Sequence, residues 1–317
     1  MKIAITGGTG FIGRPLVDRL LSAGHQILVL SRRPDSVGAR PNVRADFFDA
    51  LQAPKDRLLD GMDVVVHLAG ESIAERWTAE HKDRILRSRE NGTLAIARAA
   101  VQAQSVRVLV CGSAIGYYGP HGSEELTEDS SAGNDFLATA CKAWEQAASP
   151  AREAGIRVVH LRTGIVLHPE GGALKKMVGP FKMGAGGRLG SGRQYMSWIH
   201  REDLISLLLH AISKEALRGP VNGTAPNPVP NQEFARVLGR VLHRPAVMPA
   251  PAFALKLALG EMSTMVLAGQ RVLPTAALAS GFRFSFSELE PALRNLLGRG
   301  AESVPSGSVA SGAPRRH

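Results

Sequence analysis

The chain has 317 residues, of which 44% are apolar and 5% aromatic, and its 38 basic against 28 acidic residues give a formal net charge of +10. This apolar content suffices for a packed core, so disorder over most of the chain is excluded, and the length allows one large or two modest domains. The basic residues are dispersed and aromatic side chains are scarce, which argues against nucleic acid as the main partner.

The first predicted element is a strand that leads through a glycine-rich turn into a helix. Apolar-leaning residues 2–6 precede Gly7, Gly10 and Gly13, and apolar side chains recur at helical spacing over residues 12–21. Glycines allow a sharp turn and a close approach to a pyrophosphate, and the N–H groups of the helix's first turn face such an anion. The segment predicts a dinucleotide-binding turn; a flexible loop is the alternative.

The second predicted strand, residues 26–31, decides which dinucleotide is expected. Proteins that bind NAD usually carry Asp or Glu at the end of this strand, whereas here the chain reads Ser31, Arg32 and Arg33. A carboxylate repels a 2′-phosphate, while a hydroxyl and two guanidinium groups bind it through charge-assisted hydrogen bonds. We therefore predict NADP(H) as the cofactor. The alternative is that both arginines are ordinary solvated charges.

Three further apolar runs predict strands at residues 63–68, 107–111 and 157–161, separated by helical stretches. This alternation predicts an α/β fold with a doubly wound parallel sheet, the Rossmann architecture. Ligands of such sheets lie at the carboxyl ends of the strands, so the residues after each strand are candidates for chemistry. Those residues are Ala69, Gly70, Ser113, Ala114 and the segment 162–166.

The remaining composition bears on location and partners. Cys111 and Cys141 lie in no metal or redox spacing, so we expect reduced thiols and no metal site. The first strand begins at residue 2 and no apolar stretch reaches the roughly 20 residues of a membrane span, which predicts a cytoplasmic protein. Residues 299–317 have the composition of a disordered tail. The expected partner is a small-molecule substrate, with no nucleic acid or membrane, and a homodimer is an open alternative.

Several short motifs are distributed over the predicted strand ends and helices. The first set is TGGTGFIG at 6–13, HLAG at 67–70, Ser113 and WIHRED at 198–203. Together these motifs resemble an extended short-chain dehydrogenase/reductase. The second set is RW at 76–77, SR at 88–89, SAIGYYG at 113–119, CKAWE at 141–145 and GSG at 190–192. It narrows the resemblance to the epimerase-like SDR39U1 group, over about residues 1–298.

The resemblance implies a Rossmann domain with a smaller C-terminal α/β substrate domain. The implied NADP-binding domain comprises residues 1–170 plus about 196–215, and the implied substrate domain comprises residues 171–195 and 216–298. Carried over by position, the implied pyrophosphate contacts are Gly7, Gly10, Phe11, Ile12 and Gly13. The other implied cofactor neighbours are Ser31, Arg32, Arg33, Leu68, Ala69, Gly70, Glu71, Arg84, Arg89 and Val166. For Arg84 and Arg89 the alternative is a pair of solvated helix charges.

The resemblance also raises a question about proton transfer. Short-chain reductases commonly use a tyrosine as general acid, a lysine four residues later that lowers the tyrosine pKa, and a serine that polarises the substrate oxygen. Ser113 and Lys142 are present, but Ala138 stands four residues before Lys142. In a register one residue earlier, Leu137 and Cys141 occupy the two places and the pair disappears.

Other side chains near Ser113 offer a replacement for the missing phenol. Tyr117 and Tyr118 follow Ser113 by four and five residues; the alternative is that both are half-buried packing residues. Cys141 carries an acidic proton, or is a small apolar filler of a helix. The catalytic candidates are therefore Ser113, Tyr117 and Lys142.

These features lead to three hypotheses of different classes. The leading one is an NADP(H)-dependent oxidoreductase or epimerase-like enzyme that acts on a small polar carbonyl or hydroxyl compound by hydride transfer. The missing tyrosine motivates the second, a non-catalytic NADP(H) sensor or regulatory protein. Binding of nucleic acid or a partner through the basic surface is the third and least favoured.

Overall fold

The computed structural model describes residues 1–298. The first half contains, in chain order, β1 (Lys2–Thr6), α1 (Gly13–Ser22), β2 (Gln26–Ser31), β3 (Val43–Phe47), β4 (Val64–His67), α2 (Ala79–Ala103), β5 (Val108–Ala114), β6 (Glu125–Leu126), α3 (Phe136–Gln146), α4 (Ser149–Glu153) and β7 (Arg157–Thr163). The second half contains β8 (Ile165–His168), α5 (Gly172–Lys182), β9 (Tyr195–Met196), β10 (Trp198–His200), α6 (Arg201–Ser213), β11 (Gly219–Gly223), β12 (Val229–Pro230), α7 (Asn231–Val241), α8 (Ala252–Leu259), α9 (Thr264–Leu267), β13 (Arg271–Val272), α10 (Thr275–Ala279) and α11 (Leu289–Leu297). The predicted tail at 299–317 lies outside the described residues.

Seven of these strands form one parallel sheet in the order β11-β7-β5-β4-β1-β2-β3. The predicted doubly wound parallel sheet is confirmed. The sheet grows from β1 to β2 and β3, and the chain then returns to place β4 on the other side of β1. Thr6 lies opposite both Leu30 and His67, so β1, β2 and β4 end at the same edge. In sheets of this kind the ligand crevice lies at that reversal.

Both faces of the central strands are buried, which explains why those strands are nearly continuous apolar runs. Along β1 the side chains of Ile3 and Ile5 join the core on one face of the sheet, beneath α1 and α6. Ala4 between them points to the opposite face, against Ile96 and Ala97 of α2. Helices therefore cover the sheet on two sides and leave its carboxyl edge accessible.

A third hydrophobic cluster lies away from the central sheet. It contains Leu167, Phe181, Trp198, Phe234 and Leu293, from segments that span residues 165–198 and 225–297. Two small two-stranded sheets, β8 with β10 and β9 with β12, accompany it. Within residues 1–298 no helix is both long and apolar enough to cross a membrane.

Three features of the sheet differ from the expectations. The edge strands β3 and β11 have no counterpart among the predicted strands. The strand predicted at 107–111 continues to Ala114, because Ser113 pairs in register with Arg162 of β7. Ser113 is therefore the second-to-last residue of strand β5 and does not belong to a loop after it. The strand backbone fixes the face of the sheet toward which its hydroxyl points.

Candidate functional site

The glycine turn after β1 is closed by backbone contacts alone. Gly7 has a φ of +70°, a conformation that favours glycine, and Gly10 N donates to Gly7 O at 2.9 Å. A Cβ placed on Gly13 would lie 2.7 Å from Gly8 Cα and still closer to Gly7 O, so no side chain fits there. The first turn of α1 carries no acidic residue and no side-chain cap. Arg14 N donates to Gly10 O at 3.0 Å and Pro15 has no N–H, so the main-chain donors left for an anion at this turn are those of Phe11, Ile12 and Gly13.

The loop after β4 lies against this turn at the reversal of the sheet. Thr6 Oγ1 accepts hydrogen bonds from Leu68 N and Ala69 N at 3.1 Å each, and donates to His67 Nδ1 at 2.8 Å. Burial lowers the pKa of His67 to about 4, so the imidazole is neutral near pH 7. A Cβ on Gly7 would approach Leu68 C to 3.0 Å. One threonine thus fixes the position of the predicted cofactor neighbours Leu68 and Ala69.

Two arginines follow β2 at the same edge. Ser31 is half-buried and its Oγ accepts a hydrogen bond from Arg33 N at 3.1 Å, while Arg32 and Arg33 are both exposed. Neither guanidinium forms an ion pair with any residue from 1 to 298. The end of β2 therefore presents one hydroxyl and two uncompensated positive charges.

Arg84 and Arg89 of α2 have different surroundings. Arg89 Nη1 donates to Glu71 O at 3.0 Å, and its guanidinium lies 4.8 Å from the centre of the Trp144 ring, beside Gly70. Burial lowers the pKa of Arg89, opposed by the charge of Glu71. Arg84 is exposed, with Nε 3.7 Å from Glu71 Oε1. Arg89 thus forms part of the crevice wall, whereas Arg84 is a surface ion pair.

Phe11 and Val166 connect the glycine turn to the turn after β8. A Cβ on Gly171 would lie 2.7 Å from Phe11 Cε2, so the Phe11 ring covers this turn. The guanidinium of Arg201 lies 5.5 Å from the same ring. A Cβ on Gly172 would lie 3.0 Å from Val166 O. The two turns therefore pack together on the side of the crevice formed by β8.

Ser113 belongs to a buried polar network at the ends of β5 and β7. Its Oγ donates to Glu145 Oε1 at 2.7 Å, and Arg162 binds the same carboxylate through Nε and Nη2 at 2.8 and 2.9 Å. The Tyr118 hydroxyl accepts from Arg162 Nη1 at 3.0 Å and donates to Asn222 Oδ1 at 2.7 Å. Burial raises the pKa of Tyr118 to about 12, against the nearby Arg162 charge. The hydroxyl proton of Ser113 is thus engaged in a hydrogen bond to a carboxylate.

Tyr117 and Lys142 lie on the outer side of this network. The Tyr117 ring is half-buried, with its centre 3.4 Å from the guanidinium carbon of Arg162. Lys142 is exposed, and its Nζ lies 3.4 Å from Gly133 O. Both residues also line a groove at the sheet edge, on the far side of α3 from the crevice. Their catalytic roles stay predictions.

The inner side of α3 carries Leu137 and Cys141. A Cβ on Gly116, just after β5, would lie 3.2 Å from Leu137 Cβ and 3.8 Å from Cys141 Sγ. This packing favours the register in which Leu137 and Cys141 occupy the places of the tyrosine and lysine. Burial raises the pKa of Cys141 to about 12, so it is a neutral thiol. The inner side of α3 is consequently apolar at Leu137 and Cys141, and its charged group comes one turn later, at Glu145.

The chain was compared with known proteins. The sequence profile of the NAD dependent epimerase/dehydratase family matches residues 3–222, and that of the domain of unknown function DUF1731 matches residues 250–296. The epimerase family protein YfhF of Bacillus subtilis is 42% identical over 299 residues, which cover 94% of this chain and 98% of YfhF. The chain belongs to the SDR39U1/YfhF epimerase family.

Solved structures of relatives agree with this family membership. Human epimerase family protein SDR39U1, crystallised with NADPH, is 35% identical with a TM-score of 0.84, and the match covers 94% of this chain and 99% of the human chain. A nucleoside-diphosphate sugar epimerase of Corynebacterium glutamicum is also 35% identical, with a TM-score of 0.77 over 94% of this chain and 58% of that chain. MoeE5 with UDP-glucose and NAD, at 22% identity, shares the fold.

The resemblance found in the sequence is therefore confirmed at the level of family and fold. The assignments of individual epimerase-family site residues stay predictions. Sequence reasoning missed the roles of Thr6, Glu145 and Arg162. Thr6 and Glu145 stand inside the quoted motifs TGGTGFIG and CKAWE, and Arg162 stands in the strand-end segment 162–166. An arginine in a buried strand predicts an ion pair with a nearby carboxylate, but only the structure shows that this carboxylate is Glu145.

Proposed function

We propose that this epimerase family member binds NADPH at the reversal between β1 and β4, and acts as an NADP(H)-dependent oxidoreductase or epimerase-like enzyme on a small polar carbonyl or hydroxyl compound. The main support for this proposal is that a turn with no room for a side chain at Gly13 is combined with two uncompensated arginines at the end of β2. The human relative crystallised with NADPH supports the choice of cofactor. When bound, NADPH supplies a hydride to the substrate.

The crevice offers main-chain donors to the pyrophosphate of NADPH and side-chain donors to its 2′-phosphate. Gly7, Gly10 and Gly13 leave backbone N–H groups free of side-chain cover for a pyrophosphate. Arg32 and Arg33 offer planar donors to a 2′-phosphate, and each charge-assisted hydrogen bond contributes about 1.5–3 kcal/mol. One or two such bonds favour NADPH over NADH by roughly ten- to a hundredfold or more.

The substrate is proposed to bind near the end of β5. Because Ser113 donates its proton to Glu145, its oxygen keeps lone pairs that accept a hydrogen bond from a substrate hydroxyl. Arg162 holds Glu145 in two-point contact, which fixes the orientation of Ser113. Tyr117 remains the candidate proton donor. We further propose that residues 171–195 and 216–298 form the substrate region.

A label-transfer experiment tests this function. Protein incubated with NADPH deuterated at C4 should transfer deuterium to at least one of a panel of carbonyl compounds. Supplied instead with NADP⁺, it should take a hydride from at least one of a panel of hydroxyl compounds and sugar nucleotides and form NADPH. Ser113→Ala should reduce that transfer by about a hundredfold, because a positioned hydrogen-bonding group is lost, with NADPH affinity retained. Ser213→Ala, an exposed serine at the end of α6, is the matched control and should keep the wild-type rate.

The non-catalytic NADP(H) sensor is the second candidate, and one observation favours it. Leu137 and Cys141 face Gly116, so the two places of the usual tyrosine and lysine carry neither a phenol nor an ammonium group. For a sensor, NADPH binds, but no carbonyl compound acquires deuterium from it and no hydroxyl compound reduces NADP⁺. That result would refute the enzyme and retain the cofactor site.

A further inference from the structure

A second cavity lies at the edge of the central sheet, between α3, α4 and the strands β7 and β11. Its volume is about 1030 Å³. Thr139, Lys142 and Gln146 of α3 face this cavity, whereas Leu137 and Cys141 of the same helix face the crevice side. Glu145, which binds Ser113, and Tyr117 line the cavity as well, so it reaches the outer side of the Ser113 network. We call the cavity the edge groove, and its charged and imidazole side chains are Lys142, Glu145, Arg152, Arg157, His160 and Arg218.

Positive charge dominates the edge groove. Lys142, Arg152 and Arg218 are exposed, and none of them forms an ion pair within residues 1–298. Arg157 donates to main-chain carbonyls at the end of α6, which orders its guanidinium without neutralising it. The single lining carboxylate, Glu145, is already bound by Arg162. Four cations thus surround a space in which no described carboxylate remains free.

A buried histidine in the groove wall gives an independent indication of a ligand. His160 is 7% exposed, lines the groove and points to the same face of β7 as Arg162. Its Nδ1 is buried and has no hydrogen-bond partner among the described residues. An unsatisfied buried polar atom costs about 1–3 kcal/mol, so such groups usually have a partner. Because Nδ1 is closed to solvent, a ligand in the groove removes this cost only if the imidazole turns toward it.

We propose that the edge groove binds a small polyanion that carries two or more phosphate groups. Guanidinium groups match phosphate oxygens in planar two-point contacts, and two of the three exposed cations, Arg152 and Arg218, are arginines whose guanidinium groups have no hydrogen-bond partner among residues 1–298. The groove volume is that of a small-molecule site. A second copy of the chain would bring the same positive charges face to face, which disfavours self-association here. This site is distinct from the glycine turn and independent of the proposed cofactor.

Calorimetric titration with sodium tripolyphosphate, at fixed ionic strength, tests the proposal. It is done with and without saturating NADPH, because the glycine turn also attracts phosphates. The expected result is one site that persists when NADPH occupies the glycine turn and has the same affinity as in the titration without NADPH. That site should be weakened at least about tenfold in the double variant Arg152→Ala/Arg218→Ala, which loses two charge-assisted contacts. Neither arginine donates a side-chain hydrogen bond within residues 1–298, so this variant should keep the wild-type Tm.

The matched control is Arg44→Ala/Arg283→Ala, which removes the same charge from two exposed positions outside the groove. It should change the affinity less than about twofold. Equal weakening in both double variants would mean attraction to the overall positive charge and would overturn the site. Loss of tripolyphosphate binding on addition of NADPH, or no binding by the wild-type protein, would overturn it as well.

Discussion

The two ends of the crevice are built in different ways. At the reversal between β1 and β4, backbone atoms form the site, and its geometry depends on positions where no side chain fits, such as Gly13. At the end of β5, side chains form the site, and the polar ones are bound to each other, as Ser113 is to Glu145. The first end is open to a ligand as it stands. At the second end, the end of β5, the buried polar groups that could donate a proton to a substrate are already hydrogen-bonded to other side chains.

The largest effect is expected at the backbone-built end. In Gly13→Ala the new methyl group would meet Gly8 Cα at 2.7 Å, so the turn cannot keep its shape. NADPH affinity should fall by about a thousandfold, roughly 4 kcal/mol, measured by calorimetry. The control is Gly179→Ala in α5, where a Cβ meets no atom within 4 Å, and alanine there should leave binding unchanged. Retained affinity in Gly13→Ala would mean that the turn is not the phosphate site.

The next effect concerns the polar network behind the other end. Glu145→Gln leaves the guanidinium of Arg162, which is 4% exposed, without its counter-charge. The free energy of unfolding should fall by about 3 kcal/mol, because an unpaired charge remains buried. Urea unfolding measures this loss.

The control for that prediction is an exposed ion pair. Asp60→Asn removes the partner of Arg57, whose side chain is 81% exposed, and should cost less than about 1 kcal/mol. An equal loss of stability in both variants would show that burial of the Glu145–Arg162 pair is energetically unimportant.

A smaller effect is expected from pH. Burial depresses the pKa of His67 to about 4, below its ordinary value of 6.5, so its neutral form stabilises the fold above pH 6.5 and this stability is lost as the pH falls toward 4. At pH 5 the loss amounts to about 2 kcal/mol. His67→Asn should lose correspondingly less stability between pH 7 and pH 5 in thermal unfolding.

His243→Asn provides the comparison, because His243 is exposed, and it should keep the wild-type pH dependence. His200, whose pKa burial also lowers to about 4, accounts for part of the dependence that remains in both variants. A His67→Asn curve parallel to that of the wild type would contradict a neutral, buried His67 beside Thr6.

The sequence predicts the central strands well and the edge strands poorly, for a physical reason. Strands such as β1 and β4 are buried on both faces, so three consecutive residues of each are apolar and the run is conspicuous. At one edge β3 is mostly exposed, and at the other β11 contains two glycines and a proline, residues that an edge strand tolerates. Neither strand carries the apolar pattern on which the prediction depends.

The candidate site shows a similar division. The glycine turn is recognisable in the sequence because the backbone conformation and the close packing of the turn require glycine at fixed positions, such as Gly7 and Gly13. The choice between Lys142 and Cys141 depends on the rotation of α3 against β5, which the packing at Gly116 sets and a helical pattern does not. Likewise, Arg84 and Arg89 are equivalent in sequence, and only tertiary contacts place Arg89 against Trp144.

We propose that the backbone-built end binds NADPH in preference to NADH through the arginines after β2. Calorimetric titration of nucleotide-stripped protein with each nucleotide, for wild type, Arg32→Ala and the control Arg44→Ala, tests it most directly. The account predicts at least about tenfold preference for NADPH, and a similar loss in Arg32→Ala for NADPH only. Equal affinity for both nucleotides, an equal loss for both in Arg32→Ala, or no binding of either would contradict it.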